Sequence, residues 1–329
     1  MGDPPLLPGI SPPDPLRRVP PAVPHPALVE LARAAPAGLR CGPSSWAYPG
    51  WGGRVWGRAL PEAELSRYGL PAVAAFPLFG AVGVDRSFHA PVPEALYRTW
   101  AEQAPDLRFV VKAPAALTRP RDREDPSPAF LDPERAQRDL VGPAVRGLGG
   151  TLGHLLLQFA AGATQQAGGP TVFLERLTGL LSTWPAAARP AVELRDPALV
   201  TRRVGDALAA CGAVPCLDIQ PGMPPLDLQA AALLRPHQPL VVRWMTRPGL
   251  TYARARERFS PFDHLRGADP ATRRALARLC LTHLDRGQPV TVTVANRAEG
   301  CIPLSVVGLV EVIVALRRRR AGRPAGRRR

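Results

Sequence analysis

Residues 190–219 read PAVELRDPALVTRRVGDALAACGAVPCLDI, two short apolar runs with a longer polar segment between them. The runs, Pro190–Arg195 and Val214–Ile219, are almost continuously apolar, as strands covered on both faces are. The segment between them, Pro197–Ala210, begins with a proline, which the first turn of a helix tolerates because its N–H would be unpaired anyway. A strand, a helix and a strand in this order predict a parallel β-α-β unit.

The same alternation continues on both sides of this unit. Six further strand-type runs are Leu39–Trp46, Ala81–Phe88, Leu107–Pro114, His154–Ala160, Leu240–Met245 and Val290–Asn296. The other helix-like segments are Glu62–Ala75, Pro93–Gln103, Pro133–Arg146, Thr171–Trp184, Leu226–Leu234, Pro270–Arg286 and Leu304–Leu316. Eight strand-helix repeats in 329 residues predict an α/β fold of the (β/α)8 TIM-barrel type. The alternative, an open doubly wound sheet, lacks its usual GxGxxG sequence after the first strand.

The two ends of the chain differ in composition from the predicted barrel, residues 39–317. Residues 1–38 are rich in proline and predict an extended N-terminal arm with a short helix at Ala27–Ala34. Residues 318–329 predict a basic, disordered tail, since eight arginines lie between Arg317 and Arg329 and the formal net charge is +15. Such a tail either binds nucleic acid non-specifically or is a solvated cationic end.

Several classes of protein are disfavoured by what the sequence lacks. No run approaches the roughly 18 apolar residues of a membrane span, and no basic and then apolar segment of a signal peptide opens the chain. Five cysteines without a CxxC pair favour a reducing, cytoplasmic location. The six histidines have no metal-ligand spacing, so no metal site is predicted, although Mg²⁺ bound by Glu193 and Asp218 stays open. No cofactor is indicated.

Polar side chains occur at the carboxyl end of every predicted strand. In chain order they are Ser44 and Ser45, Asp85, Lys112, Gln158, Glu193 and Arg195, Asp218, Arg243 and Asn296. The carboxyl ends of barrel strands converge on the face where active sites lie, so these side chains predict one polar pocket. The alternative is a buried salt-bridge network that closes this end of the barrel.

The types of these residues suggest a division of roles. Glu193 and Asp218, on adjacent strands, are candidates for an acid/base pair if their surroundings separate their pKa values. Lys112, the only lysine of the chain, is the third candidate catalytic residue. With Arg195 and Arg243 it is expected to hold a small anionic ligand such as a phosphate or carboxylate.

The remaining candidates are expected to contact substrate. Asn296 is the only asparagine of the chain, and Ser44, Ser45, Asp85 and Gln158 accompany it at the strand ends. Trp46 and Tyr48, with the nearby Trp51, either stack on a sugar or base or pack at the barrel rim.

These motifs resemble those of the DUF72 (YecE-like) family. The matching segments are Cys41–Trp51, Phe109–Pro114, Gln158–Phe159, Ala191–Asp196, Val242–Trp244 and Asn296–Gly300, in the family's order. The resemblance implies a TIM-barrel fold and no established activity. The chain departs from the family pattern at Gly83, where a carboxylate is usual, and at Asp85, His89, Arg119 and Met245.

Three functions therefore remain open at this stage. The first is an enzyme, a hydrolase, lyase or isomerase, acting on a small phosphorylated or sugar-like substrate. The second is a nucleic-acid-associated protein, suggested by the excess of arginine. The third is a catalytically degenerate barrel that serves as a binding module, suggested by Gly83 and the other departures.

Overall fold

The computed structural model of the protein describes residues 18–120 and 129–321. Its centre is a ring of eight strands, β1 to β8, and every neighbouring pair along the sheet is parallel. The strands are β1 Leu39–Pro43, β2 Ala81–Val84, β3 Arg108–Lys112, β4 Leu152–Phe159, β5 Pro190–Leu194, β6 Val214–Ile219, β7 Leu240–Trp244 and β8 Val290–Val294. Their order around the ring is β1-β8-β7-β6-β5-β4-β3-β2. The predicted TIM-type barrel is confirmed.

Helices connect the strands and cover the outside of the barrel. They are α1 Pro26–Ala34, α2 Glu62–Tyr68, α3 Leu70–Ala74, α4 Glu94–Gln103, α5 Ala115–Thr118, α6 Pro133–Ala136, α7 Gly142–Leu148, α8 Ala163–Gln166, α9 Pro170–Ser182, α10 Arg202–Ala210, α11 Leu226–Leu233, α12 Tyr252–Phe259, α13 Pro270–Leu284 and α14 Ile302–Ala321. The predicted helix over 62–75 is two helices, divided at Gly69. The sequence pattern did not indicate α12, because this arginine-rich segment has few apolar residues. None of the helices in the described residues is long and apolar enough to cross a membrane.

Alternate residues of the strands face opposite sides of the barrel wall. One set packs against the helices in the main hydrophobic core, for example Val192, Leu217 and Val242. The other set faces the barrel axis, where six apolar side chains fill the middle: Val110, Leu156, Ala191, Val214, Cys216 and Val241. Two residues further along these strands, the inner positions are polar. The apolar plug therefore forms the floor of a polar end of the barrel.

The barrel closes between β1 and β2 by a close approach of backbones, which we call the seam. The two strands share one isolated bridge, Cys41 to Phe79, and the amide of Gly80 donates to the carbonyl of Cys41 at 2.8 Å. A Cβ on Gly42 would lie 1.7 Å from the carbonyl oxygen of Ala81, and one on Gly83 would lie 2.2 Å from that of Ser44. Glycine at these two positions lets the strands meet.

Described residues on both sides of the predicted domain boundaries, 38 and 318, are helical or contact the barrel. Within the predicted arm, the helix expected at Ala27–Ala34 is present as α1, and residues from Val19 onward already contact the barrel through backbone bonds to Tyr68 and Val55. At the other end, α14 continues through the first residues of the predicted tail to Ala321. Arg320 extends this helix by pairing with Asp285, and basic residues suit a helix C-terminus. Residues 1–17 and 322–329 lie outside the described residues.

Candidate active site

The carboxyl ends of β3 to β7 bring five polar side chains to the same end of the barrel. Gln158 pairs in register with Glu193, and Asp218 with Arg243. Lys112 lies on β3, two residues beyond the plug residue Val110. All five continue the inward-facing alternation of the plug, so they point toward the barrel axis. The predicted strand runs overshoot at several ends, and Ser44, Ser45, Asp85, Arg195 and Asn296 follow their strands.

Glu193 is the centre of an ion-pair network. Its carboxylate is fully buried, and its two oxygens accept from two arginines: Arg195 Nε to Oε1 at 2.6 Å and Arg243 Nη1 to Oε2 at 2.6 Å. Arg243 also donates to Gln158 Oε1 at 2.9 Å and reaches Asp85 Oδ1 at 3.4 Å. The network links β4, β5, β7 and the loop after β2, so it fixes the geometry of this end of the barrel.

Asp218 lies beside this network with much weaker contacts. Its side chain is 1% exposed, and Oδ2 is 3.4 Å from Arg195 Nε. Neither carboxyl oxygen has a hydrogen-bond partner in the described part of the chain. Its backbone, by contrast, is bound at both polar atoms by Gln229, which donates to the carbonyl at 2.8 Å and accepts from the amide at 3.0 Å. The backbone of the residue is held in place, while its carboxyl group has only the 3.4 Å contact with Arg195.

These surroundings separate the pKa values of the two carboxyl groups. Burial raises the pKa of Asp218 well above its usual range, and the neighbouring negative charge of Glu193 adds to this. Burial acts in the same direction on Glu193, but the charges of Arg195 and Arg243 outweigh it and lower the pKa of Glu193 to about 2. Glu193 is therefore ionised at neutral pH, whereas the protonated form of Asp218 is favoured far more than in an ordinary aspartate.

Lys112 extends toward the same space from β3. Its ammonium group lies 3.8 Å from the centre of the Phe88 ring, a cation–π contact. Burial lowers the pKa of Lys112 to about 8, against the opposing effect of Asp85. The backbone carbonyl of Lys112 accepts from Ser87 Oγ at 2.6 Å, which joins the strand end to the loop after β2. An amine with this pKa exchanges its proton near neutral pH.

Arg297 is a further member of the site that the sequence did not indicate. The residue directly follows Asn296, and its guanidinium lies 4.2 Å from the ring of Tyr252, the first residue of α12. Burial lowers the pKa of Arg297, with opposing contributions from Tyr252, Tyr48 and Asp85 that place these groups near it. Only its position after a predicted strand end could have pointed to it.

The loop after β1 divides the residues predicted there. Tyr48 is at the mouth: burial raises its pKa to about 12, and Asp85 and Arg297 act on it electrostatically. Trp46 is instead buried against Trp100, with ring centres 5.6 Å apart, and its Nε1 donates to the carbonyl of Ser66. Trp51 is fully buried and stacks on Trp56. Both tryptophans pack in the core, so the predicted aromatic stacking platform is reduced to Tyr48.

Three other predicted residues have local contacts with the backbone. Asn296 is buried, and its Oδ1 accepts from the amide of Ile302 at 2.9 Å, which fixes the start of α14. Its Nδ2 has no partner in the described residues. Ser45 Oγ donates to the carbonyl of Trp46 at 3.3 Å, and Ser44 joins β8 through its amide, which donates to Val294 at 2.8 Å.

The site offers little to a metal ion. Within residues 18–120 and 129–321, no group of three or more His, Cys, Asp and Glu side chains is placed to hold one. Mg²⁺ between Glu193 and Asp218, which the sequence left open, would face the two arginines already bound to Glu193. The oxygens of Glu193 are used in ion pairs, and the charge around them disfavours a cation.

The fold and this site define a TIM-type barrel with a cluster of charged side chains at the carboxyl ends of its strands. The family model "Protein of unknown function DUF72" matches residues 40–327, and the chain belongs to the DUF72 family. Two solved structures show the same fold. A DUF72 family protein of Enterococcus faecalis is 12% identical with a TM-score of 0.58, covering 84% of this chain and 95% of its own. One of Thermotoga maritima is 19% identical with a TM-score of 0.52, covering 85% and 99%. No curated protein matches the chain.

Proposed function

We propose that the protein is an enzyme that transfers a proton on a small anionic substrate, phosphorylated or sugar-like, bound at the carboxyl ends of the barrel strands. The reaction class is hydrolase, lyase or isomerase, all of which need a positioned acid or base. The observation that carries the proposal is Asp218, a buried carboxyl group with no hydrogen-bond partner among the described residues, held beside cationic side chains.

The charge balance of the pocket supports an anionic substrate. Four cationic side chains, Lys112, Arg195, Arg243 and Arg297, face the same space as Asp85, Glu193 and Asp218. Because burial raises the pKa of Asp218, its uncharged form is favoured, and the group adds less negative charge than an ordinary aspartate. The excess of positive charge is available to a phosphate or carboxylate.

The contacts suggest one role for each group. Asp218 is the proton donor or acceptor, since its carboxyl oxygens are not engaged. Arg195, which is partly exposed, and Lys112 bind the anion, and Lys112 is able to donate a proton because its pKa is about 8. The sequence also suggested Glu193 as a candidate base. Its two oxygens accept from Arg195 and Arg243 and its pKa is low, so we assign it the role of positioning these two arginines.

A turnover screen with matched variants tests the proposal. The wild type is incubated with a mixture of phosphorylated metabolites and sugar acids, and conversion is followed by mass spectrometry. We expect Asp218→Asn to lower the rate of the converted compound by about a hundredfold or more, the usual size of general acid–base catalysis, and Lys112→Met to abolish conversion.

Arg202→Gln is the control for Lys112→Met. It also removes one positive charge, but Arg202 lies on α10, away from the pocket, and its side chain is 81% exposed. It should convert the substrate at the wild-type rate. Conversion at an undiminished rate by Asp218→Asn, or no conversion of any compound by the wild type, would refute the proposed role.

A further inference from the structure

The opposite end of the barrel interior also gathers cationic side chains. Arg40 on β1 and Arg108 on β3 occupy inward-facing positions at the amino ends of their strands, in register with Thr291 and Ala81. His154 follows on β4, paired with the plug residue Val110. These residues lie below the apolar plug, whereas Glu193 and Asp218 lie above it. The two ends of the barrel are therefore separate compartments.

Arg40 and Arg108 approach each other across β2. The strand between them contributes only the small side chain of Ala81 at this level, which leaves room for both guanidinium groups. Burial lowers the pKa of Arg40, and the positive charge of Arg108 adds to the effect. Two like charges that interact at the end of a barrel destabilise the fold unless an anion balances them.

No carboxylate among the described residues supplies that balance. Arg40 and Arg108 form no ion pair there, and the one side-chain hydrogen bond of Arg108 is a long one, 3.4 Å, to the carbonyl of Leu107. Two other arginines at this end of the molecule, Arg235 and Arg320, do pair with aspartates, Asp206 and Asp285. The lack of a carboxylate partner is therefore specific to Arg40 and Arg108 and is not shared by the other arginines at this end of the barrel.

Space for a ligand lies directly beside Arg40. A pocket of about 300 Å³ opens at the amino end of the seam, lined by residues 35–41 and 77–80 with Ala32 and Val310. Arg40 is the charged side chain in a lining that otherwise consists of alanine, proline, glycine and larger apolar residues. His154 does not line this pocket; it is 8% exposed on β4, the strand next to that of Arg108, and its Nδ1 lies 3.2 Å from the carbonyl of Arg189.

We propose that this end of the barrel is a second binding site, which holds a phosphate group between the guanidinium groups of Arg40 and Arg108. Guanidinium forks match the several oxygens of a phosphate, and two forks from strands on either side of β2 would bind one group from two sides. The phosphate is either free or carried by a small metabolite for which the pocket has room. The site does not depend on the chemistry proposed for the other end.

Thermal denaturation and calorimetry with inorganic phosphate test this site, at constant ionic strength and with chloride as the reference anion. Without phosphate, Arg40→Gln and Arg108→Gln should melt at or above the wild-type temperature, because each relieves the repulsion. Phosphate should raise the melting temperature of the wild type more than that of either variant. In the Arg195→Gln background, which weakens anion binding at the other end of the barrel, it should fail to raise the melting temperature once Arg40→Gln or Arg108→Gln is added. By calorimetry each variant should lose at least about tenfold in affinity for this site, the size of one charge-assisted hydrogen bond.

Two further variants separate this site from the pocket at the other end. Arg33→Gln removes an exposed arginine of α1 near the same end, and its stabilisation by phosphate should equal that of the wild type. Arg195→Gln removes an anion-binding group of the proposed active site and should likewise keep the stabilisation that depends on Arg40. A parallel titration with glycerol 3-phosphate distinguishes a phosphate monoester from free phosphate by which of the two binds more tightly.

Three outcomes would overturn the proposal. They are stabilisation by phosphate that persists undiminished in both Arg40→Gln and Arg108→Gln, stabilisation that is lost in Arg195→Gln alone, and no effect of phosphate beyond that of chloride on the wild type. None of these outcomes bears on the proposed enzyme function, which is tested separately by turnover. We expect Arg40→Gln to turn over substrate at the wild-type rate, so the two proposals fail independently.

Discussion

Glu193 and Asp218 show how two identical functional groups acquire different properties from their neighbours. Both are buried and lie on adjacent strands. Glu193 has two arginines bound to its oxygens, whereas Asp218 has one contact, at 3.4 Å, with Arg195. The number of cationic partners decides which one is ionised, and therefore which one is available to exchange a proton.

Stability measurements at pH 7 test this difference. Glu193→Gln leaves Arg243 and Arg195 without their shared counter-charge, and we expect a loss of about 3–5 kcal/mol in the free energy of unfolding, as for other broken buried ion pairs. Asp218→Asn replaces a buried carboxyl group, whose pKa is raised on folding, by an amide of similar shape. At pH 7 the carboxyl ionises in the unfolded wild type and favours unfolding, so we expect the variant to keep or exceed the wild-type free energy of unfolding. Urea denaturation gives both values. Equal losses in the two variants would contradict the assigned charges.

The pH dependence of stability supplies the matching control, because the two groups act in opposite directions. Asp218, whose pKa is raised on folding, stabilises the fold fully below about pH 4, the unfolded value, and this contribution is lost as the pH rises. Glu193 stabilises the fold above about pH 4, and this contribution is lost as the pH falls toward its folded pKa of about 2. Relative to the wild type, Asp218→Asn should therefore gain stability as the pH rises from 4.

At the scale of elements, the seam explains the departure from the family pattern at Gly83. A side chain there would collide with the backbone of Ser44 at 2.2 Å, so the carboxylate usual in the family is incompatible with this path of β1 and β2. The loss of that carboxylate is therefore tied to how closely these strands approach. Asp85, two residues further on, reaches Arg243 from the same strand end.

Substitution of alanine at two glycines tests the seam. Gly83→Ala introduces the clash with Ser44 and should lower the free energy of unfolding by about 1–3 kcal/mol, as overpacking does. Gly179→Ala is the control, because Gly179 lies within α9 with nothing within 4 Å of the added Cβ. That change should stabilise the protein by about 0.5–1 kcal/mol through helix propensity. Thermal and urea denaturation check both, and a neutral Gly83→Ala would show that the seam tolerates a side chain.

The sequence predicted those parts of the site that lie within strands. Alternation of period two is enough to place Lys112, Glu193, Asp218 and Arg243 on the inner face, because the strand keeps its geometry up to those residues. Beyond the last hydrogen bond between neighbouring strands, successive side chains no longer alternate between the two faces of the barrel wall. The chain turns at Ala47, whose φ is +87°, so Trp46 points into the core while Tyr48 reaches the mouth. No pattern of residue types reveals that turn.

The loops and helix α12 were predictable only in part, because their positions depend on contacts between distant parts of the chain. Arg297 and Tyr252 meet because α12 lies over the end of β8, and this placement depends on the long connection between β7 and α13. The predicted boundaries at 38 and 318 rest on composition, because proline-rich and arginine-rich segments resemble unstructured chain. The contacts of Val19 with Tyr68 and of Arg320 with Asp285 are long-range and have no local signal.

For the whole molecule, the positive charge is distributed over three regions. The chain carries 42 basic and 27 acidic groups, and eight of its arginines lie in the last 13 residues. Among the described residues, cationic side chains without an ion-pair partner occur at both ends of the barrel. A folded pocket binds an anion through fixed geometry and selects among anions. A run of arginines attracts any polyanion, with an affinity that falls steeply with salt.

Removal of the last eight residues separates these two modes of binding. A chain that ends at Ala321 loses Arg323, Arg327, Arg328 and Arg329 and keeps the pair between Arg320 and Asp285. Its melting temperature should be unchanged. Its binding to duplex DNA should weaken, with the slope of log K against log salt reduced by about 3–4, near 0.9 for each lost phosphate contact. An unchanged slope would mean that the barrel itself binds nucleic acid. In that case Arg195→Gln, made in the shortened chain, tests whether the phosphates bind at the carboxyl ends of the strands, because binding there should weaken when Arg195 is removed.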